Sequence, residues 1–501
     1  MKKTIWLFIL FLFSGSLCGI VAGDGQVTIL HTNDMHAQFV PLPATWMDAE
    51  PLPMIGGMVA LEHAVRRTRA EYPHSLLLDA GDMCTGTLLS KIAYKGALNG
   101  GFVEMMNLLH YDAFTIGNHE FDDGQENLAR LIRLAQFDVI SANLLAGQKT
   151  LAPHAYKIYK VGPVRVGVIG LILTDLDRVT AKQNLNNITV MDPAATAQAL
   201  IDEIDPKTDL IVLLTHQGDD NDMALAVKLS NADVIIGGHS HTRIEKARIE
   251  NDIVIAQAGS KTRYLGRLTV DVAGDSIANF DSELIAAWVD SVKSPNSKMS
   301  ALVDKFDGQL KTEYGRQIGT LKTAWDKSND YETNLGNFLT DVMRHFTNTD
   351  FALLNSGGIR KSLSAGPITK MDIMEILPFT NYVATFSCSG RELRNILQRD
   401  TEASINNSYG LFQISGIDYS YSVRHDSSVK IVDMKMNGEP IDPEKIYTGT
   451  SVDFVIHNLL DDYQLNNIKV TSKLISDVVI DYIEKNTLFE SHVEGRIRRV
   501  K

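Results

Sequence analysis

Five short segments carry side chains able to ligate a metal or move a proton: Asp34-Met35-His36, Gly81-Asp82, Gly117-Asn118-His119-Glu120-Phe121-Asp122, Thr215-His216 and Gly237-Gly238-His239-Ser240-His241. Between them they offer carboxylates, an amide oxygen and imidazoles. Mixed imidazole and oxygen donors suit zinc, manganese or iron better than calcium or magnesium, whose shells favour oxygen alone. The donors outnumber the places on one tetrahedral ion, so two ions are the simpler reading. Each segment has a plainer explanation by itself. An Asp-x-His after a strand is usually a turn or a helix cap, and a Gly-Gly-His can be a tight turn. His31, His63, His74 and His110 lie outside the set and read as structural or surface residues. What points to chemistry is the conjunction of five such segments, in order.

The elements that must position these residues are visible as short apolar runs, each ending in one of the polar segments or in glycine-rich sequence. They include Val27 to Leu30, Ser75 to Leu78, Ala113 to Ile116, Asp138 to Ile140, Val164 to Ile169, Leu210 to Leu214, Val234 to Ile236 and Ile253 to Ile255. Several are β-branched and nearly continuous, as expected of strands covered on both faces. Helical spacing appears between some of them, in Gly57 to Ala70 and Asn127 to Ala135. In a layered α/β domain the loops at the carboxyl ends of the strands converge on one crevice, so the five segments can meet there.

Past Asp290 the pattern changes. Ser294-Pro295-Asn296 breaks the chain, and Met299, Leu302, Val303, Phe306 and Leu310 then recur at helical spacing, which predicts a helix linking two domains. From Ile318 onward helical stretches (Leu335 to Phe346, Gly390 to Gln398) mix with strand-like ones (Val383 to Phe386, Ile417 to Val423, Val429 to Met436). The expected division is a leader at 1–23, a metal-bearing domain at 24–290, a connecting helix at 291–317 and a second domain at 318–501.

His31-Thr32-Asn33-Asp34-Met35-His36 and the other four segments resemble the signature of the calcineurin-like metallophosphoesterases, in particular the exported 5′-nucleotidase and UDP-sugar hydrolase branch. The resemblance implies an α/β fold, with a four-layer α/β/β/α metallophosphoesterase domain followed by a smaller mixed α/β domain. It implies two divalent ions, zinc, manganese or cobalt. One would be held by Asp34, His36, Asp82 and His241, the other by Asp82, Asn118, His216 and His239. Some nucleotidases carry Gln where this chain has His241, which leaves metal preference open. His119 would face the phosphate with Asp122 as its carboxylate partner, on one face of a helix begun at Asn118 to Asp123.

In the second half, Asn355-Ser356-Gly357-Gly358-Ile359-Arg360 stands out, because paired glycines admit a ligand close to the backbone and an arginine can fork onto phosphate. With Asn334-Leu335-Gly336-Asn337 and Leu377-Pro378-Phe379 it resembles the nucleotidase C-terminal domain. That resemblance implies a substrate set of Asn355, Gly358, Arg360, Phe379 and Gly416. The glycine-rich aromatic segment expected near the C-terminus is replaced by Val452-Asp453-Phe454-Val455 and Leu460-Asp461-Asp462-Tyr463, making Phe454 the second stacking ring and Asp461 or Asp462 the ribose contact. Ser328-Asn329-Asp330 stands where some relatives carry an arginine, so phosphate grip rests on Arg360, with Lys361 as helper.

The 501 residues are 44% hydrophobic and 22% charged, an ordinary globular composition, with a net charge of −13 that disfavours polyanion binding. Met1-Lys2-Lys3, an apolar run from Ile5 to Phe13 and small residues up to Gly23 have the order of a secretory leader. The expectation is an exported protein, periplasmic or secreted, without a membrane anchor after cleavage, monomeric or weakly dimeric, and with Cys84 and Cys388 unbridged. Its substrate would be a nucleotide rather than a nucleic-acid polymer. The rivals are a 2′,3′-cyclic phosphodiesterase with 3′-nucleotidase activity, and a binding protein that has lost catalysis. Intact donors at every expected metal position argue against the second.

Overall fold

A computed structural model of the chain describes residues 25–292, 297–406 and 410–500. The leader expected at 1–23 and the break at Ser294-Pro295-Asn296 lie outside the described residues.

The N-terminal half is a sandwich of two six-stranded sheets. In chain order its strands are β1 (Gly25–Thr32), β2 (Ser75–Asp79), β3 (Ala113–Thr115), β4 (Asp138–Ile140), β5 (Tyr156–Val161), β6 (Val164–Ile172), β7 (Leu210–His216), β8 (Val234–Ile236), β9 (Arg248–Glu250), β10 (Ile253–Ala256), β11 (Tyr264–Val272) and β12 (Ile277–Ala286). One sheet runs β12-β11-β1-β2-β3-β4 and the other β5-β6-β7-β8-β10-β9. β1 to β4 are parallel, as are β6, β7, β8 and β10, while antiparallel strands close the edges.

The continuous apolar runs are explained by burial on both faces. Along β1, Val27 and Ile29 enter the core between the sheets while Leu30 enters the core outside the first sheet. Along β7, Val212 and Leu214 face the shared core, and Ile211 and Leu213 the core outside the second sheet. Successive side chains of a strand point to opposite faces, so a strand in the middle of four layers must be apolar throughout. Helices α1 (Met58–Glu71), α2 (Gly100–Leu109) and α3 (Gly124–Leu134) cover the first sheet; α4 (Pro193–Ile204) and α5 (Asp219–Ala226) cover the second. This is the α/β/β/α order that the resemblance implies.

Helix α6 (Lys298–Tyr314) starts at a capping box in which Ser297 and Ser300 satisfy one another's backbone N–H. It is docked rather than free-standing: Met299, Val303, Phe306 and Leu310 join the outer core of the first sheet. Phe306 sits against Gly101, where a Cβ would come within 2.6 Å of the ring, and meets Tyr94 edge-on at 5.5 Å.

The C-terminal half is smaller and mixed. Helices α7 (Asn334–Thr347), α8 (Gly390–Ile405) and α9 (Ile475–Asn486) pack about a five-stranded sheet, whose strands are β13 (Phe351–Asn355), β14 (Tyr382–Ser389), β15 (Phe412–Ser415), β16 (Ile446–Val452) and β17 (Asn466–Leu474), in the order β15-β13-β16-β14-β17. Cys84 and Cys388 are buried, one in each half, and unbonded. Among the described residues no helix is long and apolar enough to cross a membrane.

Truncating Phe306 to Ala removes a fully buried ring from the seam between α6 and α2 and is expected to cost about 3–5 kcal/mol. A urea midpoint unchanged from wild type would show that α6 contributes no packing energy.

Candidate metal centre

Four of the five segments leave the ends of parallel strands β1, β2, β3 and β8, and His216 is itself the last residue of β7. The loops are tied to one another through their backbones. Asp34 donates its N–H to the Gly81 carbonyl and His36 to the Asp82 carbonyl, both at 2.9 Å. His239 donates its N–H to Asp34 Oδ2 at 2.9 Å, and His119 donates to Asp82 Oδ1 at 2.9 Å. Asp34, His36, Asp82, His239 and His241 all have φ between 50° and 78°. Left-handed backbone at non-glycine residues is costly, and a concentration of it in one place is strain held by the surrounding fold. Gly81, at φ 93°, cannot be replaced freely, because a Cβ there would meet His216 Nδ1 at 2.7 Å.

The seven expected donors converge. Asp34, His36 and His241 form one group, and Asp82, His216 and His239 another, with the donor atoms of each within 4.8 Å of one another. Asn118 Oδ1 adds to the second group, 2.9 Å from His239 Nδ1 and 3.3 Å from His216 Nε2. Asp82 also groups with His36 and His119, which places it between the two.

The donor set fits cations. His36 Nδ1 lies 2.8 Å from the Thr85 carbonyl and His216 Nδ1 lies 2.6 Å from the Ala80 carbonyl. A carbonyl only accepts, so both Nδ1 atoms carry a proton and both Nε2 atoms are the nitrogens turned to the site. They face other electron-rich atoms: His36 Nε2 is 2.9 Å from His241 Nε2, and His216 Nε2 is 3.2 Å from Asp82 Oδ2. Such an arrangement calls for a positive charge at each point.

Protonation agrees. Burial works against the ionised form of both carboxylates, yet His241 holds Asp34 down at about 2, and His216 and His119 hold Asp82 well below the usual carboxylate range. Burial pushes His239 down to about 4, and pushes His36 and His241 below the ordinary imidazole value. His216 is the exception. Burial opposes its charge, but Asp82 beside it drives it up to about 10. Ionised carboxylates and neutral imidazoles are the forms that bind metal, and the one imidazole that holds its proton does so facing Asp82.

His119 does not begin the helix. It opens a single 3₁₀ turn, His119–Phe121, and α3 starts only at Gly124. The turn still brings His119 Nδ1 to 2.8 Å from Asp122 Oδ2. Burial alone would lower His119, but Asp122 and Asp82 outweigh it and raise its pKa. Asp123 occupies the N-cap position without capping; its carboxylate takes Lys91 at 2.7 Å.

From the C-terminal half, Asn355, Gly358, Arg360, Phe379 and Phe454 line the same cavity of about 550 Å³ as Asp82, Asn118, His119, Asp122, His239 and His241. Arg360 donates to His36 Nε2 at 3.3 Å. The Phe379 ring stacks on the His119 imidazole, centroids 5.6 Å apart, with the Arg360 guanidinium over it at 5.8 Å. Among the described residues the buried Asn355 amide oxygen has no hydrogen-bond partner.

Three expectations need correction. Gly416 lies outside the cavity lining, at the junction of β15 and the next strand, where its φ of 78° and a Cβ-to-Asp350 carbonyl distance of 2.3 Å make it a structural glycine. Asp461 is also outside the lining, because it pairs across the two halves with Lys182 and Arg178; Asp462 pairs with Arg178 at 3.6 Å and Arg399 at 3.2 Å. Lys361 does not help Arg360, since Asp372 and Glu375 hold its amine at 3.0 and 2.8 Å.

Residues 27–243 match the family model described as calcineurin-like phosphoesterase, and residues 316–464 match the 5′-nucleotidase C-terminal domain. The chain belongs to the calcineurin-like phosphoesterases that carry a 5′-nucleotidase C-terminal domain. It is similar to Protein UshA of Escherichia coli (strain K12), 27% identical, with 86% of this chain and 85% of that protein covered. It is also 28% identical to the trifunctional nucleotide phosphoesterase protein YfkN of Bacillus subtilis (strain 168) over 87% of its length, spanning 32% of that longer protein. Among solved structures, a 5′-nucleotidase precursor from Thermus thermophilus superposes with a TM-score of 0.86 at 26% identity, covering 95% of this chain and 100% of that one. This member of the family is therefore a phosphoesterase hydrolase.

Glu120 carries no functional signal in the sequence beyond its position within the Gly117 to Asp122 segment. Buried at 1% exposure, it accepts the N–H of Gly117 at 2.7 Å, Asp82 at 3.0 Å and Cys84 at 3.1 Å, clamping the loops that carry Asn118 and Asp82. Glu120→Gln turns a donor toward donors and is expected to weaken metal affinity by about 10–100-fold with the fold intact. Metal content after dialysis, read beside circular dichroism, tests this; full retention of metal would remove the role.

Proposed function

We propose that this phosphoesterase hydrolyses nucleoside 5′-phosphates to nucleoside and inorganic phosphate, acting outside the cytoplasm as the leader-like start of the sequence indicates. The observation that carries the reading is one cavity of about 550 Å³ in which four of the metal donors (Asp82, Asn118, His239 and His241), the His119–Asp122 pair, Arg360 and two phenylalanines meet. Its volume falls within the range of small-molecule sites. The relatives named for 5′-nucleotidase or nucleotide phosphoesterase activity support the same substrate class.

In this reading Asp34, His36, Asp82 and His241 hold one divalent ion, and Asp82, Asn118, His216 and His239 the other. When bound, the two ions supply a water made nucleophilic near neutral pH and offset charge on the phosphoryl oxygens. The remaining work belongs to the chain. His119, kept protonated by Asp122, faces the phosphoryl group and stabilises the negative charge that develops there. Arg360 forks onto the phosphate from the opposite half. Phe379 and Phe454 supply apolar surface for the base, where stacking is worth about 1–3 kcal/mol and tolerates different bases. The Asn355 oxygen, which has no partner among the described residues, accepts a hydrogen bond from the nucleoside in this reading.

Chelation should abolish phosphate release from AMP, and zinc, manganese or cobalt should restore it. In a panel with ATP, UDP-glucose, 3′-AMP and 2′,3′-cyclic AMP, preference for the cyclic nucleotide and 3′-AMP over AMP would overturn the assignment.

Asp122→Asn is expected to lower kcat/KM by about 10²-fold. Because the carboxylate raises the His119 pKa, its loss lets the imidazole give up its proton at lower pH, so the basic limb of the pH–rate profile should move towards acid. A profile that falls uniformly, with no shift of that limb, would separate Asp122 from His119 ionisation.

A further inference from the structure

Lys261 stands in the loop between β10 and β11, beside the metal donors. It and Thr262 are consecutive non-glycine residues in the left-handed region, with φ of 58° and 56°. The fold holds them there. Thr262 Oγ1 accepts the Gly57 N–H at 2.8 Å and also donates to the Gln38 carbonyl at 3.0 Å, while the Lys261 N–H donates to the carbonyl of Asp34 at 2.9 Å. The other end of Lys261 crosses to the C-terminal half. Its Nζ donates to the Arg360 carbonyl at 3.3 Å, and the Arg360 guanidinium returns to His36 Nε2 at 3.3 Å. Asp34, Lys261, Arg360 and His36 thus form a ring of contacts that exists only while the two halves are together.

We propose that Lys261 is a positioning residue that seats the Arg360 loop against the metal donors, so that the guanidinium is presented to a tetrahedral oxyanion. The inference rests on the phosphate role given to Arg360 above.

The charge pattern supports an oxyanion as the group that completes this contact. Among the described residues neither Lys261 nor Arg360 makes an ion pair with a carboxylate. Arg360, Lys327, Arg263 and Lys361 lie around the Lys261 amine. Three of these cations, Arg360, Lys327 and Lys361, come from the opposite half, the last already paired with Asp372 and Glu375, so the junction of the halves gathers like charge around Lys261. An anion beside Arg360 reverses the sign of that cost. The strut therefore holds best when phosphate is present, which couples the seating of Arg360 to the ligand.

The test is calorimetric titration of inorganic phosphate into the metal-loaded full chain for wild type, Lys261→Met and Lys261→Arg. Methionine keeps an unbranched apolar stem of similar reach and removes the donor. The expected result is a Kd about tenfold weaker in Lys261→Met with metal content unchanged, and recovery of most of that loss in Lys261→Arg. Phosphate affinity within twofold of wild type in Lys261→Met, loss of metal in that variant, absence of recovery by arginine, or a wild type that binds no phosphate would each overturn the proposal. Failure of the nucleotidase reading would instead appear as a wild type that binds phosphate yet releases none from AMP.

Discussion

Everything in the site turns on the burial of Asp82. An ionised carboxylate withdrawn from water is costly unless it is hydrogen-bonded and paired, and Asp82 is 1% exposed. Its Oδ1 accepts the His119 N–H, its Oδ2 faces His216 Nε2, and Glu120 clamps its own N–H. Without a cation the cluster must recruit a proton, which is why His216 is driven up to about 10 while His239 falls to about 4 in the same cluster. Metal binding at such a place replaces that proton. Affinity must then be pH-dependent, and part of the stability of these loops is binding energy. The left-handed backbone at five donor positions has the same origin: the sheets and their loop-to-loop hydrogen bonds enforce conformations the residues would not choose.

The division of labour between the halves follows from this. A donor set under strain needs rigid supports, and the ends of parallel strands in a four-layer sandwich provide them. Residues that must release product need an element that can move away, and Arg360, Phe379 and Phe454 come from the other half. Met371 and Met374 make an apolar part of the seam between the halves, while the part beside the centre is polar. Asn458 donates to the carbonyls of Asp177 and Thr180 at 2.9 and 2.8 Å, and Arg178 donates to the Asn458 carbonyl at 3.2 Å. Thr180 in turn donates its hydroxyl to the Asn118 carbonyl at 3.2 Å. The segment grasped by the C-terminal half thus touches a donor residue directly, so the state of the seam reaches the centre through two hydrogen bonds.

Much of this is legible in the sequence because it repeats a local rule. Apolar runs such as Leu210 to Leu214 have to be strands buried on both faces, and polar residues at their ends have to share an edge. The resemblance to the phosphoesterase signature then singles out the seven donors among the ligand-type residues of those segments. What stays hidden is every feature set by a partner distant in sequence. Glu120 looks like any acid near a turn until the N–H groups of Asp82 and Cys84 are placed beside it. Lys361 reads as a phosphate helper because it adjoins Arg360; adjacency in an irregular segment says nothing of direction, and Asp372 and Glu375 claim it. Asp461 fails for a related reason: an exposed carboxylate goes to the nearest cations, here Lys182 and Arg178 on the opposite half. Asn118 to Asp123 has helical spacing but forms only a 3₁₀ turn, which still joins residues three apart and so preserves the His119–Asp122 contact.

The net charge of −13 acquires a different meaning once the charges are placed. Several acids are withdrawn from the surface into the centre, where their charge is balanced by imidazolium or metal and contributes little to the outside field. At the seam the imbalance is of the opposite sign: Arg360 and Lys261 make no carboxylate pair among the described residues, while acids elsewhere do pair with lysine or arginine. The acidic balance of the whole chain therefore says little about the cavity itself, where Lys91, Arg178 and Arg360 offset Asp82, Asp122 and Asp123.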